Sequence, residues 1–232
     1  MDYATVEQAL WGTGLIARGG FHPNESDGVP APCGANGTAI VIGNAGGAMW
    51  RTFAASPEFR LADGPLDAWT ARILGEVAER LAAAAVFPFA GPPHHPFQRW
   101  AQRAEAVFPS PIGPLIHPDY GLWHAYRGAL LFAERFAVPA RPAVQSPCEI
   151  CTDKPCLTTC PVEAFIIEGY AVPRCVAHIA TPAGVDCIND GCRARRACPV
   201  GGEYRYVAEQ AAFHQRHFRR AYGAPEDPEP GF

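Results

Sequence analysis

Lysine is almost missing from this chain of 232 residues: Lys154 stands alone against 18 arginines. Blocks of like charge are missing too, and the net charge is only −4. The basic patch or stripe that marks a nucleic-acid binder is therefore not visible. Long hydrophobic runs are equally scarce. The longest, "LAAAAVFPFA" over residues 81–90, is about half the ~20 residues that cross a bilayer. The opening "MDYATVEQALWGTG" has an acid at Asp2 and no basic region, so it does not read as an export signal. These absences predict a cytoplasmic protein without nucleic-acid or membrane partners. In a reducing compartment, clustered cysteines are not expected to form disulfides.

Cysteine is scarce in the first 147 residues, where Cys33 is alone, and dense from Cys148 to Cys198, which holds the other eight. The composition is otherwise that of a folded globular protein, 48% hydrophobic and 18% charged. Pro139, Pro142 and Pro147 make "VPARPAVQSP" an extended linker. Two domains follow from this division, 1–140 and 141–232. The first reads as α/β. In "DGPLDAWTARILGEVAERLA", Asp63 is a candidate cap and Pro65 suits the first turn. Leu66, Trp69, Ile73, Leu74, Val77 and Leu81 then fall on one helical face. "GTAIVIGN" predicts a buried strand, with weaker strands at residues 85–89 and 126–132. Residues 97–108 read as a short helix, and "YRYVAEQAAFHQRHFRRAYG" as a C-terminal helix stopped by Gly223.

The cysteines carry the chemistry. Cys148, Cys151, Cys156 and Cys160–Pro161 space as C-x2-C-x4-C-x3-C-P. The bacterial iron–sulfur run is C-x2-C-x2-C-x3-C-P, its fourth cysteine serving the other cluster of a pair. Two extra residues within "TDKP" enlarge the loop and leave the ligand count unchanged. Cys175, Cys187, Cys192 and Cys198–Pro199 form the second, less regular group. Exchanging fourth ligands gives one 4Fe–4S cluster on Cys148, Cys151, Cys156 and Cys198, and another on Cys160, Cys175, Cys187 and Cys192. Structural zinc on four thiolates is the alternative, but it does not require a proline after the closing cysteine of each group.

The stretch "IHPDYGLWHAYRGALLF" resembles a signature of the cobalamin-processing family, the decyanases and dealkylases that strip upper ligands from cobalamin. His117, Pro118, Tyr120, Gly121, Trp123, Ala125, Arg127 and Gly128 match it. "GPLDAW" looks like that family's Asp-Pro-x-Asp helix start, with Pro65 and Asp67 kept and Gly64 in place of the first acid. The resemblance covers roughly residues 9–135. The cysteine-rich half is similar to epoxyqueuosine reductase and to respiratory reductive dehalogenases, with Arg174–Cys175 matching an Arg-Cys element. The resemblance implies an α+β nitroreductase-like domain followed by a small bacterial dicluster ferredoxin-like domain. It implies two 4Fe–4S clusters feeding a cobalamin, with an electron-donor protein or reductase as partner. The chain ends in an acidic "APEDPEPGF", where the reductase continues into a tRNA-binding part, which argues against tRNA as substrate.

By that resemblance, His117, Tyr120, Trp123 and Arg127 line a corrinoid pocket, with Arg127 the candidate catalytic residue. A guanidinium suits a carboxylate or phosphate; the plainer reading has Arg127 anchoring a turn beside Asp119. His117 shapes its loop before Pro118, and Cys33 lacks a partner base. Arg216, His217, Arg219 and Arg220 share one helical side, a solvated face or a docking surface for an acidic electron donor. Two functions therefore stand: a corrinoid-directed reductase, or a dicluster electron carrier whose first domain is a docking module without cobalamin.

Overall fold

The computed structural model describes residues 1–34, 37–167 and 169–223. The acidic tail of residues 224–232 lies outside the described residues. The chain divides into two compact units: Met1–Phe108 with His124–Gln145, and Pro109–Trp123 with Ser146 onward. Both mix short helices with strands, and no described helix is long and apolar enough to cross a membrane.

The first unit is built on an antiparallel sheet in the order β1 (Ile16–Phe21), β2 (Thr38–Ala45), β4 (His124–Phe132), β3 (Ala84–Val86). Its helices are α1 (Tyr3–Ala9), α2 (Ala48–Ala54), α3 (Pro65–Arg80) and α4 (Phe97–Ala104). The β-branched run of β2 is buried from Thr38 to Asn44, as a strand covered on both faces must be. Helix α3 packs the expected apolar face, and Trp69 and Leu74 are fully buried. Its cap is Gly64 rather than Asp63, with no side-chain bond to the first turn. Helix α4 ends at Ala104 because Glu105 adopts extended backbone, four residues short of the expected end. Trp100 and Ala104 of that helix close over Phe21, Val41 and Leu131.

Two bulges in this sheet place charged side chains. Between β2 and β4 the register passes from Ile42–Gly128 to Gly43–Tyr126, so Arg127 is the extra residue. Between β1 and β2 it passes from Ala17–Ile42 to Gly20–Ile40, which puts Arg18 and Gly19 opposite Val41. An extra residue re-aims the side chain beside it. Arg18 consequently runs into the interior, where it is 2% exposed. There it pairs with Glu105 at 2.8 Å and donates to the Asn44 carbonyl and His124 Nδ1. The Tyr126 hydroxyl donates to the same carboxylate at 2.6 Å. Burial pushes the Glu105 carboxyl up, while Arg18 and Tyr126 act in the opposite sense.

The second unit has short, proline-started helical turns at Pro147–Ile150 and Pro155–Thr158 and a small hairpin, Phe165–Ile166 with Gly169–Tyr170. Helices α5 (Val172–Ile179), α6 (Val185–Asp190) and α7 (Ala208–Tyr222) follow. Helix α7 packs on α6 and α5 and stops at Gly223, as expected. Its buried apolar residues include the small Ala164, Ala194, Ala211 and Ala212 beside Ile179. In the first unit, Leu74→Ala should cost about 2–5 kcal/mol of stability, the range for truncating a buried leucine. Urea-unfolding midpoints of the two proteins would measure it.

Candidate functional site

The eight clustered cysteines all lie in the second unit, in or beside its short elements. Cys148 and Cys151 sit in and just after the Pro147–Ile150 turn, and Cys156 in the next turn. Cys175 is on α5, Cys187 on α6, and Cys192 precedes the Arg193–Arg196 turn. Burial pushes up the thiols of Cys148, Cys156 and Cys198. Cys148 is raised further by Cys198, Cys156 and Cys151, and Cys156 by Cys198 and Cys151. Burial likewise raises Cys175, Cys187 and Cys192. Here Cys175 feels Cys160 and Cys187, and Cys192 feels Cys175 and Cys160. Like charge acts on a thiol only at close range, so Cys148 lies near Cys151, Cys156 and Cys198, a first set, while Cys160, Cys175, Cys187 and Cys192 share one cavity wall, a second set. The chain's one lysine, Lys154, lies beside the first set and lowers Cys148.

The second set lines a cavity of about 230 Å³. Its wall is apolar apart from a few groups: Ile112, Val162, Phe165, Ile179 and Phe218 join the four sulfurs, Tyr170 and His178. Among the described residues, no three His, Cys, Asp or Glu side chains are grouped to hold a single metal ion. Two polar groups, Tyr170 and His178, stand in the same wall. The Tyr170 hydroxyl donates to Cys175, lowering that thiol against the effect of burial. His178 Nε2 is buried with no hydrogen-bond partner among the described residues. Backbone N–H groups also face the sulfurs, from Ala164 to Cys160 at 3.4 Å, from Arg193 to Cys187, and from Ala194 and Arg195 to Cys192.

Arginines hold this arrangement in place. Arg193 grips the Asp186 carboxylate with two bonds of 2.7 Å, and Arg196 adds a third of 2.7 Å. These bonds, with Arg196 donating to the Gly191 carbonyl, close the loop that carries Cys187 and Cys192. They hold the Asp186 carboxyl well below the usual carboxylate range. Arg195 donates twice to the Leu122 carbonyl and lies 4.6 Å from the ring centroids of both Trp123 and Tyr206. None of these residues announced itself in the sequence beyond its place among the cysteines.

The signature stretch is divided between the units. His117, Pro118, Tyr120, Gly121 and Trp123 belong to the second, whereas Ala125, Arg127 and Gly128 lie on β4 of the first. His117 pairs with Gly121 through both backbone bonds, and its Nδ1 accepts from the amides of Asp119 and Tyr120. Its ring stacks on Tyr120, which meets Tyr204 edge-on. Trp123 is 2% exposed against Tyr206. Gly121 and Gly201 both have positive φ, and a Cβ on either would fall 2.0–2.3 Å from the facing backbone. The loop thus lies directly on the chain that follows Cys198. Arg127 pairs with Asp67 at 2.5 Å and with the Thr70 hydroxyl at 3.2 Å. The carboxylate that Arg127 meets is Asp67, the acid of "GPLDAW", rather than Asp119.

Neither a protein-family model nor a curated protein matches the sequence. The fold is nonetheless of a known class. The chain is similar to the B12-trafficking protein CblC of C. elegans, a human MMACHC homologue, at 15% identity over 97% of each chain with a TM-score of 0.55. It is also similar to an epoxyqueuosine reductase solved with an epoxyqueuosine-modified tRNA-Tyr stem loop, at 16% identity. That match spans 74% of this chain but half of the reductase, with a TM-score of 0.47. The first likeness defines a mixed α/β fold of the kind found in a cobalamin-handling protein.

The Asp186 clip has a testable pH signature. A depressed carboxyl contributes stability that is fully present above the unfolded value, about 3.9, and is lost as pH falls through the folded one. Asp186→Asn should therefore melt at lower temperature than the parent at pH 7, with the gap closing as pH drops below about 4. Anaerobic melting curves across that range measure it.

Proposed function

We propose that the second unit is a ferredoxin-like module holding two 4Fe–4S clusters. Cys148, Cys151, Cys156 and Cys198 would bind one, and Cys160, Cys175, Cys187 and Cys192 the other. The chain is then an iron–sulfur redox protein that delivers electrons to a corrinoid substrate, whose cobalt it reduces or whose upper ligand it removes. The observation that supports the reading is the one cavity wall shared by Cys160, Cys175, Cys187 and Cys192, with Cys148 close to Cys151, Cys156 and Cys198. Bound there, the clusters supply single-electron transfer at potentials set by charge, hydrogen bonds and exposure.

The protein's own groups have distinct tasks. Backbone N–H groups and Tyr170 place hydrogen bonds on the sulfurs and favour their charged form. Ile112, Val162, Ile179 and Phe218 keep the second set apart from water. Asp186 with Arg193 and Arg196 fixes the loop between two ligands. An electron donor, protein or reductase, completes the scheme. The corrinoid half rests on the likeness of fold and on the signature residues, with Arg127 as the group that orients substrate.

A second reading is favoured by a specific observation. His117, Tyr120 and Trp123 are engaged in packing within the second unit, and Arg127 is already paired with Asp67. On that reading the chain is a dicluster electron carrier whose first unit docks a partner without cobalamin.

Metal analysis separates the readings. Protein purified without oxygen, mixed with hydroxocobalamin and desalted should carry about eight irons and about one cobalt per chain. Cys156→Ser and Cys175→Ser should each remove about four irons and spare the rest. Eight irons without cobalt would select the electron carrier. Zinc, or iron without acid-labile sulfide, would overturn both.

A further inference from the structure

Tyr170 and His178 flank the second thiol set from two directions. Tyr170 closes the hairpin opposite Phe165, its ring stacked between Phe165 at 5.0 Å and Phe218 at 6.0 Å. That stacking leaves the ring one orientation and carries its hydroxyl to the cavity wall. His178 stands one turn beyond Cys175 on α5, so the two side chains share a helix face. Its Nε2 is buried in that wall with no partner among the described residues. A buried nitrogen that bonds to nothing costs free energy comparable to a lost hydrogen bond. Such a cost persists where something fills the cavity and accepts from it.

We propose that Tyr170 and His178 are a donor pair aimed at the cluster on Cys160, Cys175, Cys187 and Cys192, and that they set its reduction potential apart from that of the other cluster. The inference rests on the presence of that cluster. Its physics is a matter of charge. Reduction adds one negative charge to the cluster and its thiolates, and a hydrogen bond from outside stabilises the more negative state more strongly. Each donor therefore raises the potential of this cluster, and its removal lowers it. The first thiol set lies elsewhere in the unit, with Lys154 and Arg205 as its nearby cations. Tyr170 and His178 line the cavity of the second set. Their effect is confined to one of two centres.

Redox titration with dithionite, followed by electron paramagnetic resonance, tests this on the whole chain. Tyr170→Phe and His178→Phe are compared with the parent after iron counting. Each variant should keep its iron and shift one wave to more negative potential, the same wave in both, leaving the other in place. The shift corresponds to about threefold or more in the reduction equilibrium, ~30 mV for a one-electron couple. Unmoved waves, or two waves moving together, would overturn the proposal, as would different waves responding to the two variants. Should one variant fail to hold iron, 3-fluorotyrosine at position 170 keeps the ring and strengthens the donor. It should move the same wave to more positive potential, and an unmoved wave would sink the idea. A parent without iron fails at the counting step, which removes the cluster reading itself and is distinct from a null shift.

Discussion

The guanidinium of Arg195 joins two stretches of chain that lie more than 70 residues apart in sequence. One face of contact is polar, two bonds to the Leu122 carbonyl; the other is aromatic, Trp123 and Tyr206 at equal distances. Lysine could not substitute, because a point charge offers neither the fork for one carbonyl nor the flat surface for two rings. The neighbours of Arg195 depend on this contact being made. Gly121 and Gly201 bring backbone against backbone at a separation that no side chain permits. Cys192 and Cys198 lie three residues to either side of the same arginine. The loop that carries half of the signature is therefore part of the wall behind the thiols, and Ile112 and Pro114 from it reach the cavity itself.

The thiols themselves are the other constraint. Burial raises each one whose shift is resolved, and their mutual repulsion works in the same sense. Left alone they favour the neutral form, and a bound cationic group reverses this by drawing the thiolates together. The buried apolar residues of this unit include Ile116, Leu122 and Trp123 as well as the smaller Ala164, Ala194, Ala211 and Ala212. Were clusters bound here as proposed, their binding would also contribute folding free energy.

Much of this could be read from the sequence, and the reasons are local. The β-branched run of β2, the apolar face of α3 and the stop at Gly223 each depend on residues a few positions apart. What escaped depends on partners far away in the chain. The bulge at Arg127 comes from a register shift against β2, and nothing in "YRGALLF" encodes it. Asp63 has the chemistry of a cap, yet the chain turns at Gly64 instead. The membership of residues 109–123 in the second unit depends on Arg195 and on a close approach to Val200. An extended linker at 138–147 was visible, but an excursion of the chain before it was not.

Arg127 shows how a single position can belong to both histories. Its bulge, its ion pair with Asp67 and its bonds to Thr70 tie β4 to the first two turns of α3. Asp67 and Arg127 each belong to one of the two stretches that resemble the cobalamin-processing signature, and they meet each other. Their pairing gives a purely structural reason for both residues to stand where they do. A substrate carboxylate arriving at this guanidinium would compete with Asp67 at 2.5 Å. Its binding free energy would be reduced by the cost of leaving that carboxylate, half-exposed, to water. A corrinoid-directed role for Arg127 thus requires Asp67 to turn outward, which its solvent-facing side allows, whereas an electron carrier would leave the pair undisturbed.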